Sequence, residues 1–142
     1  MTQYPLQFTS ETVASAGART LWNTQSVEGI SHCCIPTEFS GPGGALSPED
    51  LYNHALTNCF LATFKIYAEN SKLEYGGIKV NSRLVVDLDE NKKPIMKEFF
   101  LKAEISAVNH PDRALLLAKK AASSGFILNS VKTECHFDFV IV

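Results

Sequence analysis

Ser47-Pro48-Glu49-Asp50-Leu51-Tyr52-Asn53-His54-Ala55-Leu56-Thr57-Asn58-Cys59-Phe60-Leu61-Ala62-Thr63-Phe64 is the stretch on which the fold turns. It starts as helices start. Ser47 is a capping residue, Pro48 suits a first turn, and Asp50 stands at the capping-box position. The acidic pair Glu49 and Asp50 also complements the positive end of the helix dipole. The helix is expected from Pro48 to about Asn70. Its middle, Cys59 to Phe64, is apolar on nearly every side, which suits a core or a subunit interface and not a surface.

Downstream, residues 76–89 alternate, with Ile78, Val80, Leu84, Val86 and Leu88 on one face and Lys79, Asn81, Arg83 and Asp87 on the other. After a turn at Asp89–Pro94, residues 95–107 alternate again, with Ile95, Phe99, Leu101, Ala103, Ile105 and Ala107 together. This is the pattern of a long antiparallel hairpin. Asn109-His110-Pro111-Asp112 opens a second helix, Pro111 to about Ser123. Residues 131–142 read as a last strand, with Val131, Thr133, Cys135, Phe137, Phe139 and Ile141 on one face and Lys132, Glu134, His136 and Asp138 on the other.

Upstream, Phe8–Val13 and Leu21–Ile35 supply two or three strands, with turns at Gly17 and Gly29. Residues 37–46 form a glycine-rich loop that lacks the Gly-Lys-Ser/Thr of a phosphate-binding loop. It is a flexible connection or the lining of a pocket beside the helix it feeds. The order of strands, long helix, hairpin, helix and strand means α+β. Residues 1–142 are expected to form one domain, large enough to bury a core without disulfides.

The formal net charge is -2 and the 13 basic residues are dispersed, which excludes the basic footprint of a nucleic-acid binder. No apolar run approaches the ~20 residues of a membrane span, and the first residues lack a signal-peptide pattern. The four cysteines, Cys33, Cys34, Cys59 and Cys135, form neither a disulfide framework nor a CxxC motif. They are expected to be reduced thiols of a cytosolic protein. Cys135 lies on the apolar face of the last strand. Cys33 and Cys34 are neighbours on a strand and point to opposite faces, so one is expected in the core and the other partly exposed. Ligands on alternating sides of a strand do not converge, so His32-Cys33-Cys34 is not read as a metal site. Neither a metal nor any other cofactor is expected. His54 and His110 read as a helix-face and a helix-start residue, and no Ser-His-Asp arrangement is visible.

Ser47-Pro48-Glu49-Asp50-Leu51 followed by Cys59-Phe60-Leu61 resembles the helix motif of the OsmC/Ohr family, which includes organic hydroperoxide reductases. Ile127-Leu128-Asn129-Ser130-Val131-Lys132 resembles the second family motif. The similarity is good over residues 40–142 and holds only in outline before that. It implies an OsmC-like α+β fold in which antiparallel sheets pack on a long central helix in an intertwined homodimer. It further implies an oxidative-stress function, with a site at the dimer interface where a cysteine thiolate attacks an organic hydroperoxide.

By this resemblance Cys59 is the reactive cysteine, Glu49 the glutamate that holds an activating arginine, and Arg19 the arginine itself. Read without it, Cys59 is a small buried hydrophobe, Glu49 a helix-start acid and Arg19 a turn residue in water. Cys59 lies about three turns into the helix, beyond the reach of its dipole, so a thiolate there needs a neighbouring cation. Glu49 and Cys59 stand ten residues apart, roughly 15 Å along one helix. Antiparallel packing of two copies would bring Glu49 of one toward Cys59 of the other.

Two positions depart from the family pattern. Asn58 replaces a small residue before Cys59. Gly125, in Ser123-Ser124-Gly125-Phe126, stands where the peroxidases carry a second, resolving cysteine. Glycine forms no disulfide, so the family's usual internal disulfide is lost at this position. A Cys59 sulfenic acid would condense with an outside thiol, or Cys33 or Cys34 would stand in for the missing partner. Gly125→Cys would restore the pair unless Phe126 fills the space. The sequence therefore supports two functions: a one-cysteine organic hydroperoxide reductase that uses an external thiol reductant, or a non-catalytic relative that binds a small apolar or thiol-bearing ligand. An inert structural dimer is a third.

Overall fold

Ser47 and Asp50 close the reciprocal cap read from the sequence. The Asp50 N–H donates to Ser47 Oγ at 3.0 Å, and the Ser47 N–H donates to the Asp50 carboxylate at 2.9 Å. From this cap helix α1 runs Pro48–Asn70. The structure, a computed structural model, describes residues 2–142. The chain divides into two compact units, one ending at Leu51 and the other spanning Tyr52–Val142.

The first unit is a three-stranded antiparallel sheet in the order β1 (Glu11–Val13), β2 (Trp22–Gln25) and β3 (Ile30–Cys33). Trp22 lies opposite Cys33, and Gln25 opposite Ile30. Both Cys33 and Cys34 are buried, which corrects the expectation of one exposed thiol. The strand ends at Cys33, and the returning glycine-rich loop covers its neighbour. The Cys34 N–H donates to the Leu46 carbonyl at 2.9 Å, and the Cys34 thiol meets the Ala45 carbonyl at 3.4 Å. Gly41 permits this return, because a Cβ there would overlap the Ile35 carbonyl.

The second unit carries β4 (Gly77–Leu88), β5 (Pro94–Ser106), α2 (Pro111–Ser124) and β6 (Glu134–Ile141). β4 and β5 form the expected hairpin. Its turn is tied by the Asp89 carboxylate, which accepts from the N–H groups of Asn91 and Lys93. β6, however, pairs parallel with β5, so this sheet is mixed and not purely antiparallel. A parallel pair needs a crossover connection, and α2 supplies it.

The parallel register sets Phe99, Leu101, Ala103 and Ile105 beside Cys135, Phe137, Phe139 and Ile141. Onto this apolar face packs one stripe of α1, Leu56, Phe60, Phe64 and Ala68, with Ala114, Leu117, Ala118 and Ala121 of α2. Phe60 stacks on Phe139 with 5.5 Å between ring centroids. Burying such a side chain contributes about 1.5–3 kcal/mol. In the single chain α1 is buried along this stripe only. Asn58, Ala62, Lys65 and Ile66 are exposed, Ile66 by 58%.

Three further boundaries differ from the sequence reading. Val86, Leu88 and Ile95 are exposed: the register slips between Val85 and Val86, and the end of the hairpin contributes nothing to the buried cluster. Ala107 leaves the strand with φ 52. β6 starts at Glu134 because Leu128–Ser130 forms a 3-10 turn first. Among the described residues, no helix is long and apolar enough to cross a membrane.

Candidate functional site

Cys59 lies midway along α1, on the side turned toward the end of α2, and is only partly buried. Its Sγ rests against Gly125, the residue that ends α2. A Cβ built on Gly125 would stand 2.6 Å from Cys59 Sγ and 3.2 Å from Leu128 Cδ1. The backbone does not require glycine here, since φ -64 and ψ 133 are extended values open to any residue. What requires it is the sulfur, which occupies the place of a side chain. Phe126 does not fill this space; it is 76% exposed.

The second motif holds this notch in place. The Asn129 N–H donates to the Gly125 carbonyl at 2.9 Å, and Asn129 Nδ2 donates to the Ser123 carbonyl at 3.1 Å. Ser130 Oγ donates to the Phe126 carbonyl at 2.6 Å. Leu128, between them, is buried in the core. The Asn129 side chain thus satisfies a carbonyl in the last turn of α2, Ser130 ties the residues just beyond it, and the leucine anchors the turn.

Two turns before Cys59 in α1, the Tyr52 hydroxyl lies 2.6 Å from Thr133 Oγ1. Thr133 donates to the Met96 carbonyl at 2.7 Å, so its one proton is committed and Tyr52 is the donor to it. Sequence reading placed Thr133 on the apolar face and missed this chain. A buried threonine among apolar neighbours, facing a helix tyrosine, was its signal. Among the described residues Cys59 Sγ makes no hydrogen bond. Burial raises the Cys135 thiol above its ordinary value of 9.0.

Glu49 and Arg19 belong to the first unit. Glu49 sits in the first turn of α1, and among the described residues its buried Oε1 has no hydrogen-bond partner. Arg19 is exposed, and its guanidinium donates to the Ser40 carbonyl at 3.3 Å. The two form no ion pair with each other among the described residues. His54 and His110 are exposed on α1 and at the start of α2, as read from the sequence. His32 Nδ1 lies 2.7 Å from Asn23 Oδ1.

Two compact units, two sheets and two helices place the chain in the α+β class. Within it the chain belongs to the OsmC-like protein family, whose model matches residues 41–140. The chain is similar to the uncharacterized protein YmaD of Bacillus subtilis, 26% identical over 107 residues, 72% of this chain and 71% of that one. Among solved structures it resembles an OsmC-like protein of unknown function from Vibrio cholerae, with TM-score 0.85 and 13% identity over 96% of this chain and 100% of that one. It also resembles an organic hydroperoxide resistance protein from Elizabethkingia anophelis, with TM-score 0.72 and 19% identity over 97% and 98%.

Proposed function

We propose that this OsmC-like protein is a one-cysteine organic hydroperoxide reductase, with Cys59 as its nucleophile and a role in oxidative stress. The observation that carries the reading is the contact of Cys59 with Gly125. The sulfur is half-buried in an apolar surrounding, at the place where the family pattern has a second thiol, and no second thiol is there.

The Cys59 thiolate attacks the outer oxygen of ROOH, forms an S–O bond and breaks the O–O bond. The products are Cys59 sulfenic acid and, after one proton is taken up, ROH. An external thiol then displaces water from the sulfenic acid and leaves a mixed disulfide. A second external thiol releases Cys59 as thiol and departs as its own disulfide.

The protein acts as an intertwined homodimer with residues 1–142 of each chain as one OsmC-like domain. Two observations support a second copy: the exposed apolar residues Ala62 and Ile66 on α1, and the buried, unpartnered oxygen of Glu49. An unpaired buried carboxylate oxygen costs about 1–3 kcal/mol or more. Arg19, from the same or the other chain, pairs with Glu49 and turns its charge toward Cys59. Four free cysteines, with buried Cys33 and Cys34 adjacent and unpaired, suit a reducing cytosol.

The test is consumption of cumene hydroperoxide in the presence of excess small thiol. Wild type is expected to turn over, to lose activity with Cys59→Ser, and to lose at least about tenfold with Glu49→Gln. A protein that reacts no faster than Cys59→Ser is instead the non-catalytic binder. That second reading draws on Cys59 Sγ receiving no hydrogen bond among the described residues.

A further inference from the structure

The face of the second unit's sheet turned away from the helices carries Glu98, Phe100, Glu134 and His136. Glu98 and Glu134 are direct neighbours across the parallel β5–β6 pair, and so are Phe100 and His136. His136 Nε2 points between the two carboxylates, 3.0 Å from Glu98 Oε2 and 3.5 Å from Glu134 Oε1. One ligand atom from each of the three residues falls within 4.8 Å of the others.

We propose that Glu98, Glu134 and His136 form a binding site for a divalent transition-metal ion of the Zn2+ class. Three independent features converge on a cation. The first is spacing. Bonds of about 2.0–2.1 Å in a tetrahedral site set neighbouring ligand atoms about 3.3 Å apart. The 3.0 and 3.5 Å separations from His136 Nε2 bracket that edge, and the two carboxylate oxygens lie within 4.8 Å of each other, so two of the three edges are already close to a tetrahedral site.

The second is charge. Two carboxylates side by side on adjacent strands repel. Among the described residues neither has a lysine or arginine ion partner; His136 alone stands between them. A divalent ion neutralises both at once, and the neutral imidazole supplies the third donor. One imidazole with two carboxylates is a nitrogen–oxygen set suited to Zn2+ and its neighbours.

The third is orientation. The His136 ring stacks on Phe100 at 4.7 Å and 17°, and the Arg83 guanidinium covers the Phe100 ring at 4.2 Å. The stack fixes the plane of the imidazole and aims Nε2 at the carboxylates. His136 and Glu134 remain 39% and 72% exposed, so water completes the coordination and the ion exchanges freely. Because among the described residues β6 pairs only with β5, the ion fastens an edge strand to its neighbour. The site lies on different residues from the proposed thiol chemistry and does not depend on it.

Calorimetric titration of the whole protein with Zn2+ at neutral pH tests the site. Wild type and Cys59→Ser are expected to bind one ion per chain with the same affinity. His136→Phe keeps the aromatic stack and removes the donor, and its affinity should fall by about tenfold or more. Glu134→Gln, at an exposed position that cannot endanger folding, should weaken binding as well. No binding by wild type up to millimolar Zn2+ would overturn the proposal. So would equal affinity in both site variants, or loss of binding in Cys59→Ser, which would assign the ion to the thiol.

Discussion

At Gly125 a single missing Cβ decides how Cys59 sits. With no demand for glycine from the backbone, the whole penalty of a side chain there comes from the sulfur 2.6 Å away and the flexible Leu128 side chain. Gly125→Ala should therefore overpack the site by about 1–3 kcal/mol in wild type. In a Cys59→Ala background the cost should fall below about 0.5 kcal/mol, where the entropy gain of replacing glycine also helps. Urea unfolding of the four proteins closes this cycle, and equal costs in both backgrounds would show that the thiol is not the obstacle. Gly125→Cys is the companion. A disulfide holds the Cβ of one cysteine about 3.0 Å from the sulfur of the other, against 2.6 Å here. A few tenths of an ångström of movement suffices, so one equivalent of hydroperoxide should remove two free thiols and yield a peptide joining positions 59 and 125.

For the elements, α1 and its cap carry the fold. The Ser47–Asp50 exchange satisfies two donors at the helix start, and Ser47 is only 4% exposed. Ser47→Ala should cost about 0.5–2 kcal/mol. Phe60, fully buried and in contact with Phe64, Phe137 and Phe139, ties α1 to β6. Phe60→Ala should cost about 3–5 kcal/mol. Thermal or urea unfolding measures both, and a Phe60→Ala cost below that of Ser47→Ala would contradict the ranking of aromatic packing above the cap. The parallel strand β6 is the element whose partner makes the difference: it sets Glu134 beside Glu98 and Cys135 beside Phe99.

For the whole molecule, the proposed homodimer makes a prediction about the far side of α1. Ile66 is 58% exposed in the single chain, across the helix from the buried stripe. An interface built on α1 would bury it. Wild type should sediment as a dimer at micromolar concentration, and Ile66→Asp should shift it toward monomer while the second unit stays folded. A monomeric wild type would end the dimer reading. It would leave the unpartnered Glu49 oxygen to be explained within one chain.

The elements were legible in the residues themselves. Cap chemistry and uninterrupted helical composition set the limits of α1, Pro48 and Asn70, because both signals are local. Period-two alternation revealed the β4–β5 hairpin, and the order of elements revealed α+β. Cys59 and Gly125 were both singled out by motif, yet nothing local says that one sulfur fills the other's missing side chain. That contact joins residues sixty-six positions apart and exists only once α2 lies beside α1. The parallel pairing of β6 was equally hidden, since alternation looks the same in either direction and only the α2 crossover decides it. Glu134 and His136 stood together on one face in the sequence, but Glu98 joins them solely through that parallel register. Burial of Cys34 came from a loop returning across it, and exposure of Val86, Leu88 and Ile95 from their place beyond the buried cluster. Alternation assigns a side of the sheet; only packing decides whether anything covers that side.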